Sequence, residues 1–217
     1  MARKAAPKAG KGAEMPATII ESALTLAASR GWARVGLGDI AEAAGVSLAE
    51  MRAHFPSKHA IVAAYAADID RAMLAARDPE MEGRPAHERL FDVFMKRFDL
   101  LNAHKEGVGA ILRSCPADPE AILCGPLTLR RSMRWMLEAA GLSSAGLGGR
   151  LRVKALCALY LSMLPVWLRD DSEDMARTMA VLDRRLKRLD ALTRSLCRLT
   201  PRRGWSGGAQ AEVEAEA

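Results

Sequence analysis

The sequence predicts an all-α fold: a three-helix helix-turn-helix head followed by a helical bundle. Three observations carry this. Apolar residues recur at helical spacing through most of the chain, beginning with Ile19, Ile20, Ala23, Leu24 and Ala27. Alternating runs of Val, Ile and Thr, the pattern of a half-buried strand, are nearly absent. Finally, residues 39–47 read Asp-Ile-Ala-Glu-Ala-Ala-Gly-Val-Ser, a short Ala-rich helix, a left-handed turn residue, an apolar plug and a cap.

In order along the chain, the first helix ends at Gly31, which tolerates the positive φ of a helix C-terminus. A second helix over about 38–44 points Ile40 and Ala41 inward, Gly45 turns the chain, and Ser47 caps the third, recognition-position helix. Ser57 caps a fourth over 58–77, with Ile61, Val62, Tyr65, Ile69 and Met73 inward. Residues 78–85 (Asp-Pro-Glu-Met-Glu-Gly-Arg-Pro) read as the linker between domains.

Beyond it, Leu90, Phe94, Phe98 and Leu101 form the stripe of a helix over 86–103, broadened by Phe91 and Met95. A shorter helix holds Val108, Ile111 and Leu112. Asp118-Pro119 starts a brief helix, and Gly125-Pro126 starts a separate one over 127–140. Residues 141–149, rich in Gly and Ser, read as a loop. From 151 to 168, Leu156, Leu159, Tyr160, Met163, Leu164 and Trp167 cover nearly every side, predicting a central helix kinked at Pro165. Asp170-Asp171-Ser172 stops it and caps a last helix over 173–199, with charge pairs Glu173/Arg177, Asp183/Lys187 and Asp190/Arg194 four residues apart. The domains expected are thus a disordered basic arm (1–16), the head (17–77), the bundle (86–200) and a disordered tail (201–217).

The 217 residues are 50% hydrophobic and 27% charged, an ordinary globular composition with few aromatics. A net charge of +6 and a pI near 9.4 suit a nucleic-acid or anionic-membrane partner, and equally a merely basic soluble protein. Cys115, Cys124, Cys157 and Cys197 are scattered with no Cys-x-x-Cys pair, which argues against zinc or a disulfide framework and for reduced thiols in a cytoplasmic protein. The N-terminus has no apolar core of a secretory signal, and the apolar run 155–168 is too short to span a bilayer. No paired carboxylates, Ser/His/Asp grouping or phosphate-cradling glycine loop is evident. An enzyme is therefore not expected, nor any metal or cofactor.

Gly31, Ile40-Ala41, Ala44-Gly45-Val46-Ser47, Phe55 and Lys58 together resemble the N-terminal domain of the TetR family of regulators, over about 17–65. The resemblance implies a homodimer whose two recognition helices enter successive major grooves of a palindromic operator, and a C-terminal domain that binds a small effector. It implies DNA contacts from Ser47, Leu48, Glu50, Met51, Arg52, His54, Lys58 and His59. The family commonly has a small polar or basic residue after the capping serine and a hydroxyl cap for the second helix; Leu48 and Gly36 stand there instead. Ser47-x-x-Glu50 has the spacing of a capping box, while the same carboxylate would accept from a cytosine amino group or repel phosphate. Arg52 suits guanine, phosphate or plain solvent, and Lys58 a phosphate.

A second resemblance covers about 151–192. Lys154, Leu164, Trp167-Leu168, Asp170-Asp171-Ser172, Thr178 and residues 182–186 (Leu-Asp-Arg-Arg-Leu) are similar to a ubiquinone-biosynthesis accessory family, which shares the TetR fold but binds isoprenoid lipid. It implies the alternative function of a lipid-binding accessory protein with peripheral membrane contact and no DNA. Under either reading Phe94, Phe98, Trp135, Met136, Tyr160, Met163 and Trp167 are the candidate lining of an apolar pocket, or else ordinary core. The main expectation is a TetR-type regulator that senses an apolar small molecule.

Overall fold

The protein's structure is a computed structural model that describes residues 11–76 and 78–199, with side chains over 14–76 and 78–191. Residues 1–10 of the expected arm and the tail from 201 lie outside the described residues. The described residues form nine α-helices and no strand: α1 (Lys11–Arg30), α2 (Leu37–Ala44), α3 (Leu48–His54), α4 (Lys58–Ala75), α5 (Ala86–Asn102), α6 (Lys105–Ser114), α7 (Pro119–Ala139), α8 (Gly146–Leu168) and α9 (Ala176–Leu199). α1 begins at Lys11 and carries Pro16 inside it, so the last residues assigned to the arm are helical.

Two apolar cores follow from the stripes. The head core joins Ile19, Ala23, Ala27, Trp32, Ile40, Met51, Phe55 and Ile61, and is completed by Ala110 and Ile111 of α6. The bundle core runs from Ile69 and Met73 through Phe94, Phe98, Met133, Met136 and Trp167 to Leu182 and Leu186. α4 therefore belongs to both halves, and α6 packs back on α1, so the boundary expected at 78–85 divides the sequence more cleanly than it divides the packing. The α1–α6 approach is close enough to require glycine: a Cβ on Gly107 would stand 2.6 Å from the Leu24 carbonyl oxygen. Gly107→Ala is expected to destabilise the protein by about 1–3 kcal/mol through overpacking. Gly148→Ala, where a methyl meets open space, is the control in a thermal melt.

Three expectations are corrected. α7 is one helix from Pro119 to Ala139, with Pro126 inside it, where two were expected. Pro126 and Ile122 both lie on the exposed side, so the carbonyl that loses its amide partner faces water, and Gly125 lacks the Cβ that a proline ring would crowd. The loop expected over 141–149 stops at 145, and Gly146, Gly148 and Gly149 form the first turn of α8. Gly149 is buried against the Ser144 backbone, where any Cβ would collide, so this glycine marks close approach rather than a turn.

Third, α8 is not enclosed on all sides. Val153, Leu156, Tyr160, Met163 and Trp167 face the core, while Leu147, Leu151, Ala158 and Leu161 occupy the opposite face in solvent, Leu147 at 83% exposure. Steps of about 100° per residue place those four within one narrow stripe. α8 has the length and composition to cross a membrane, but its inner face is packed against α7 and α9 as a bundle helix.

Candidate nucleic-acid interface

The geometry of α2 and α3 is set by their turn. Gly45 takes φ +67°, and the Val46 amide donates to the Ala41 carbonyl at 3.0 Å, closing α2 in a left-handed cap. Gly36 has no side chain with which to cap α2. Asp39 compensates by accepting from the Gly36 amide at 2.7 Å, and it also faces Arg30 at 3.5 Å.

Ser47 and Glu50 form the reciprocal capping box: the Glu50 amide donates to Ser47 Oγ at 3.2 Å, and Glu50 Oε2 accepts from the Ser47 amide at 2.8 Å. The Ser47 hydroxyl also donates to that oxygen. These bonds hold the Glu50 carboxyl below its ordinary pKa. The capping reading of Glu50 is the one this geometry carries.

α3 then presents Leu48, Ala49, Glu50, Arg52, Ala53 and His54 outward, with Leu48 61% exposed. Three of the expected contacts are placed elsewhere. Met51 is 1% exposed, the plug of the head core. Lys58 Nζ donates to the Trp32 carbonyl at 2.7 Å and sits 4.3 Å from the Trp32 ring centroid. Burial lowers its pKa, against the pull of Asp118 and Asp39. It ties α4 to the turn after α1 and is half-buried there. His59 faces α7, its Nε2 3.5 Å from Thr128 Oγ1. Ser47, Leu48, Glu50, Arg52 and His54 share the outer surface.

The expected pocket residues divide in the same way. Phe94, Phe98, Met136, Tyr160, Met163 and Trp167 meet in the bundle core, with Phe98 stacked on Tyr160 (centroids 5.9 Å) and on Trp167 (5.6 Å). Trp135 is 47% exposed on the far side of α7 and is not part of the set.

Beside that cluster lies a polar knot that the sequence reading passed over. Arg97 of α5 pairs through Nη1 with Asp70 of α4, Ser132 of α7 donates to Asp70 Oδ2 at 2.7 Å, and Arg97 Nε reaches the Tyr160 hydroxyl of α8 at 3.4 Å. Burial works against the Arg97 charge, but Tyr160 and Asp70 raise its pKa overall. Nearby, burial pushes the Tyr65 phenol up to about 12, Tyr160 adding to the rise and Arg97 opposing it. The available signal was positional: Asp70 and Arg97 fall on the inward stripes of their helices, where a charge needs a partner.

The acidic stop after α8 is a compact cap. Asp170, buried, accepts at Oδ2 from both the amide and the hydroxyl of Thr178 at 2.6 Å, and at Oδ1 from the Ser172 hydroxyl at 2.5 Å. Ser172 Oγ in turn accepts from the Ala176 amide. Burial opposes ionisation, but these bonds hold the Asp170 carboxyl at about 2. Because the folded value lies below the unfolded one, the cap contributes fully above about pH 5 and is lost as pH falls towards 2. Asp170→Asn is expected to remove that part of the acid dependence and to cost about 1–3 kcal/mol at neutral pH, read from urea melts at several pH values.

Comparison with known proteins agrees with this architecture. Residues 19–65 match the family model described as bacterial regulatory proteins, tetR family. Residues 152–193 match the COQ9 family model. No curated protein matches the chain. Among solved structures, a TetR transcriptional regulator from Nitrosomonas europaea ATCC 19718 superposes with a TM-score of 0.66 at 27% identity, covering 82% of this chain and 99% of that one. A TetR transcriptional regulator from Rhodococcus sp. RHA1 follows at 0.62 and 20%, covering 83% and 97%. The fold is that of TetR regulators. The chain carries a tetR-family head on a bundle with a COQ9-like segment. Several residues behind the second likeness, namely Trp167, Asp170, Ser172, Thr178, Leu182 and Leu186, build the α8–α9 cap and the core beneath it.

Proposed function

We propose that the protein is a homodimeric, cytoplasmic DNA-binding transcriptional regulator whose bundle senses a small apolar or amphipathic molecule. The observation that carries the reading is α3. It is capped at both the serine and glutamate ends of its box, anchored by Met51, and turned outward with Leu48, Arg52 and His54. A helix so held has the outline that fits a major groove, and phosphate and base contacts would be shared between its own Arg52 and the exposed Arg34 of the turn after α1. Two such helices from a dimer would meet two half-sites, and an effector would act by favouring a spacing that no longer matches them.

The test is Arg52→Ala. It leaves every hydrogen bond of the head in place and is expected to weaken operator binding by about 1–3 kcal/mol, roughly 5- to 150-fold. Unchanged affinity in a fluorescence anisotropy titration would count against α3 as the reading helix.

The match over 152–193 favours a second reading, an isoprenoid-binding accessory protein of ubiquinone biosynthesis that works at a membrane surface. Organic extraction of the purified protein and mass spectrometry would then find a stoichiometric isoprenoid.

A further inference from the structure

We propose that Arg97 is the anchor for the carboxylate of an amphipathic organic acid, which takes Arg97 from Asp70 and so unlatches α4. The proposal names the ligand class for the sensing function above. Only its DNA-release arm rests on that reading.

Arg97, 4% exposed, is the buried cation among the described residues, and it lies inside the bundle core. Its partner Asp70 is 6% exposed. A buried ion pair is a poor device for stability alone, since apolar side chains of similar volume serve as well or better. This pair instead joins the helix that carries the head to the helices that form the bundle. Asp70 is on α4, and its two carboxylate oxygens are taken by Arg97 of α5 and Ser132 of α7. The other end of α4 is fixed in the head by Lys58 on Trp32. A change at Asp70 therefore acts on the helix that packs on α1 and enters the head core through Ile61.

The guanidinium is engaged less fully than its shape allows. It gives one nitrogen to Asp70 and has a long 3.4 Å contact from Nε to Tyr160, whereas a planar fork is best satisfied by a carboxylate that accepts two parallel bonds. Asp70 is tethered to a helix backbone. A free carboxylate has no such tether and competes for the same donors. Its apolar body has suitable surroundings: Arg97 lies over the Tyr160 ring, Phe94 packs on Tyr160, and Met133, Met136 and Met163 share the core, the side chains best able to repack around a guest.

A cleft of about 30 Å³, room for about one water, lies one helical turn away, lined by Met73, Val93 and Ala140 and by charges of both signs, Asp78, Glu82 and Asp92 beside Arg89 and Lys96. Met73 is one turn beyond Asp70 on α4, and Val93 one turn before Arg97 on α5. Arg89, two turns before Arg97, also lines the cleft and holds a buried Nε with no hydrogen-bond partner.

The experiment uses the full chain with decanoate and tetradecanoate as probes, against decanol and decylamine, by titration calorimetry. Wild type is expected to bind the carboxylates and to prefer them to the alcohol by at least about tenfold. Asp70→Asn, which removes the competing charge at the same size, is expected to bind decanoate about tenfold or more tightly than wild type. The double variant Asp70→Leu, Arg97→Met keeps an apolar, uncharged core and is expected to lose the preference for carboxylate over alcohol.

A wild type that binds neither acid, an Asp70→Asn protein with no gain, or a double variant that still prefers carboxylate would each overturn the proposal. Decanoate should also release DNA from wild type and not from the double variant. Carboxylate binding with no DNA retained under any condition would leave the Arg97 site standing and refute the regulator reading instead.

Discussion

Replacing Arg97 with methionine is expected to destabilise the protein by about 3–5 kcal/mol. The substitution leaves the Asp70 carboxylate buried with only the Ser132 hydroxyl, of the bonds described above, still donating to it. An uncompensated buried charge is among the costliest single changes a core sustains. For a chain of this length each kcal/mol moves the melting temperature by roughly 2–4 °C, so a drop of about 6–20 °C is anticipated. The cause is the orphaned charge and not the lost volume, which methionine largely keeps. Adding Asp70→Leu to Arg97→Met should therefore recover most of the loss. A double variant no more stable than the single one would show that the arginine side chain itself, and not the pairing, supports the four-helix junction.

The second large effect is expected on the outer face of α8. Leu147, Leu151 and Leu161 are 83%, 66% and 53% exposed and lie in one stripe, an arrangement suited to a second copy of the chain. Leu151→Arg with Leu161→Arg places two charges in that stripe. The protein is expected to sediment as a monomer at micromolar concentration while keeping its helical circular dichroism. Its affinity for a two-half-site operator should fall by about 10²–10⁴-fold, because the second head no longer binds as part of the same molecule. A dimer that persists would move the subunit interface away from α8.

How far the sequence foretold this differs from element to element. The head was legible because each of its devices is local. Gly31 and Gly45 take positive φ, at +81° and +67°, and Ser47 and Glu50 cap each other three residues apart. The apolar stripes of α1, α4 and α5 likewise showed which faces are buried.

What failed was whatever depended on the other side of a contact. Gly149 and the Gly125-Pro126 step read as breakers, since sequence does not say that one glycine is pressed on Ser144 or that a proline sits on a face open to water. Lys58 read as a free cation because its partner, the Trp32 carbonyl, is 26 residues away. Trp135 was grouped with Met136 although neighbours on a helix point about 100° apart. The Asp70–Arg97–Ser132 junction joins residues far apart in the chain, and no local spacing announces it. The surviving surface set of α3 is thus smaller than the family resemblance implied: Leu48, Arg52 and His54, with Ser47 and Glu50 engaged chiefly with each other.

Whether α3 reads DNA is tested most directly by selection. Sheared genomic DNA is passed over the purified full-length protein at moderate salt, and the retained fragments are sequenced. Enrichment is expected of a palindrome whose half-sites lie about one helical turn or a multiple apart, reduced by Arg52→Ala. Retention without any shared sequence, or none at all from a correctly folded dimer, would contradict that role for α3.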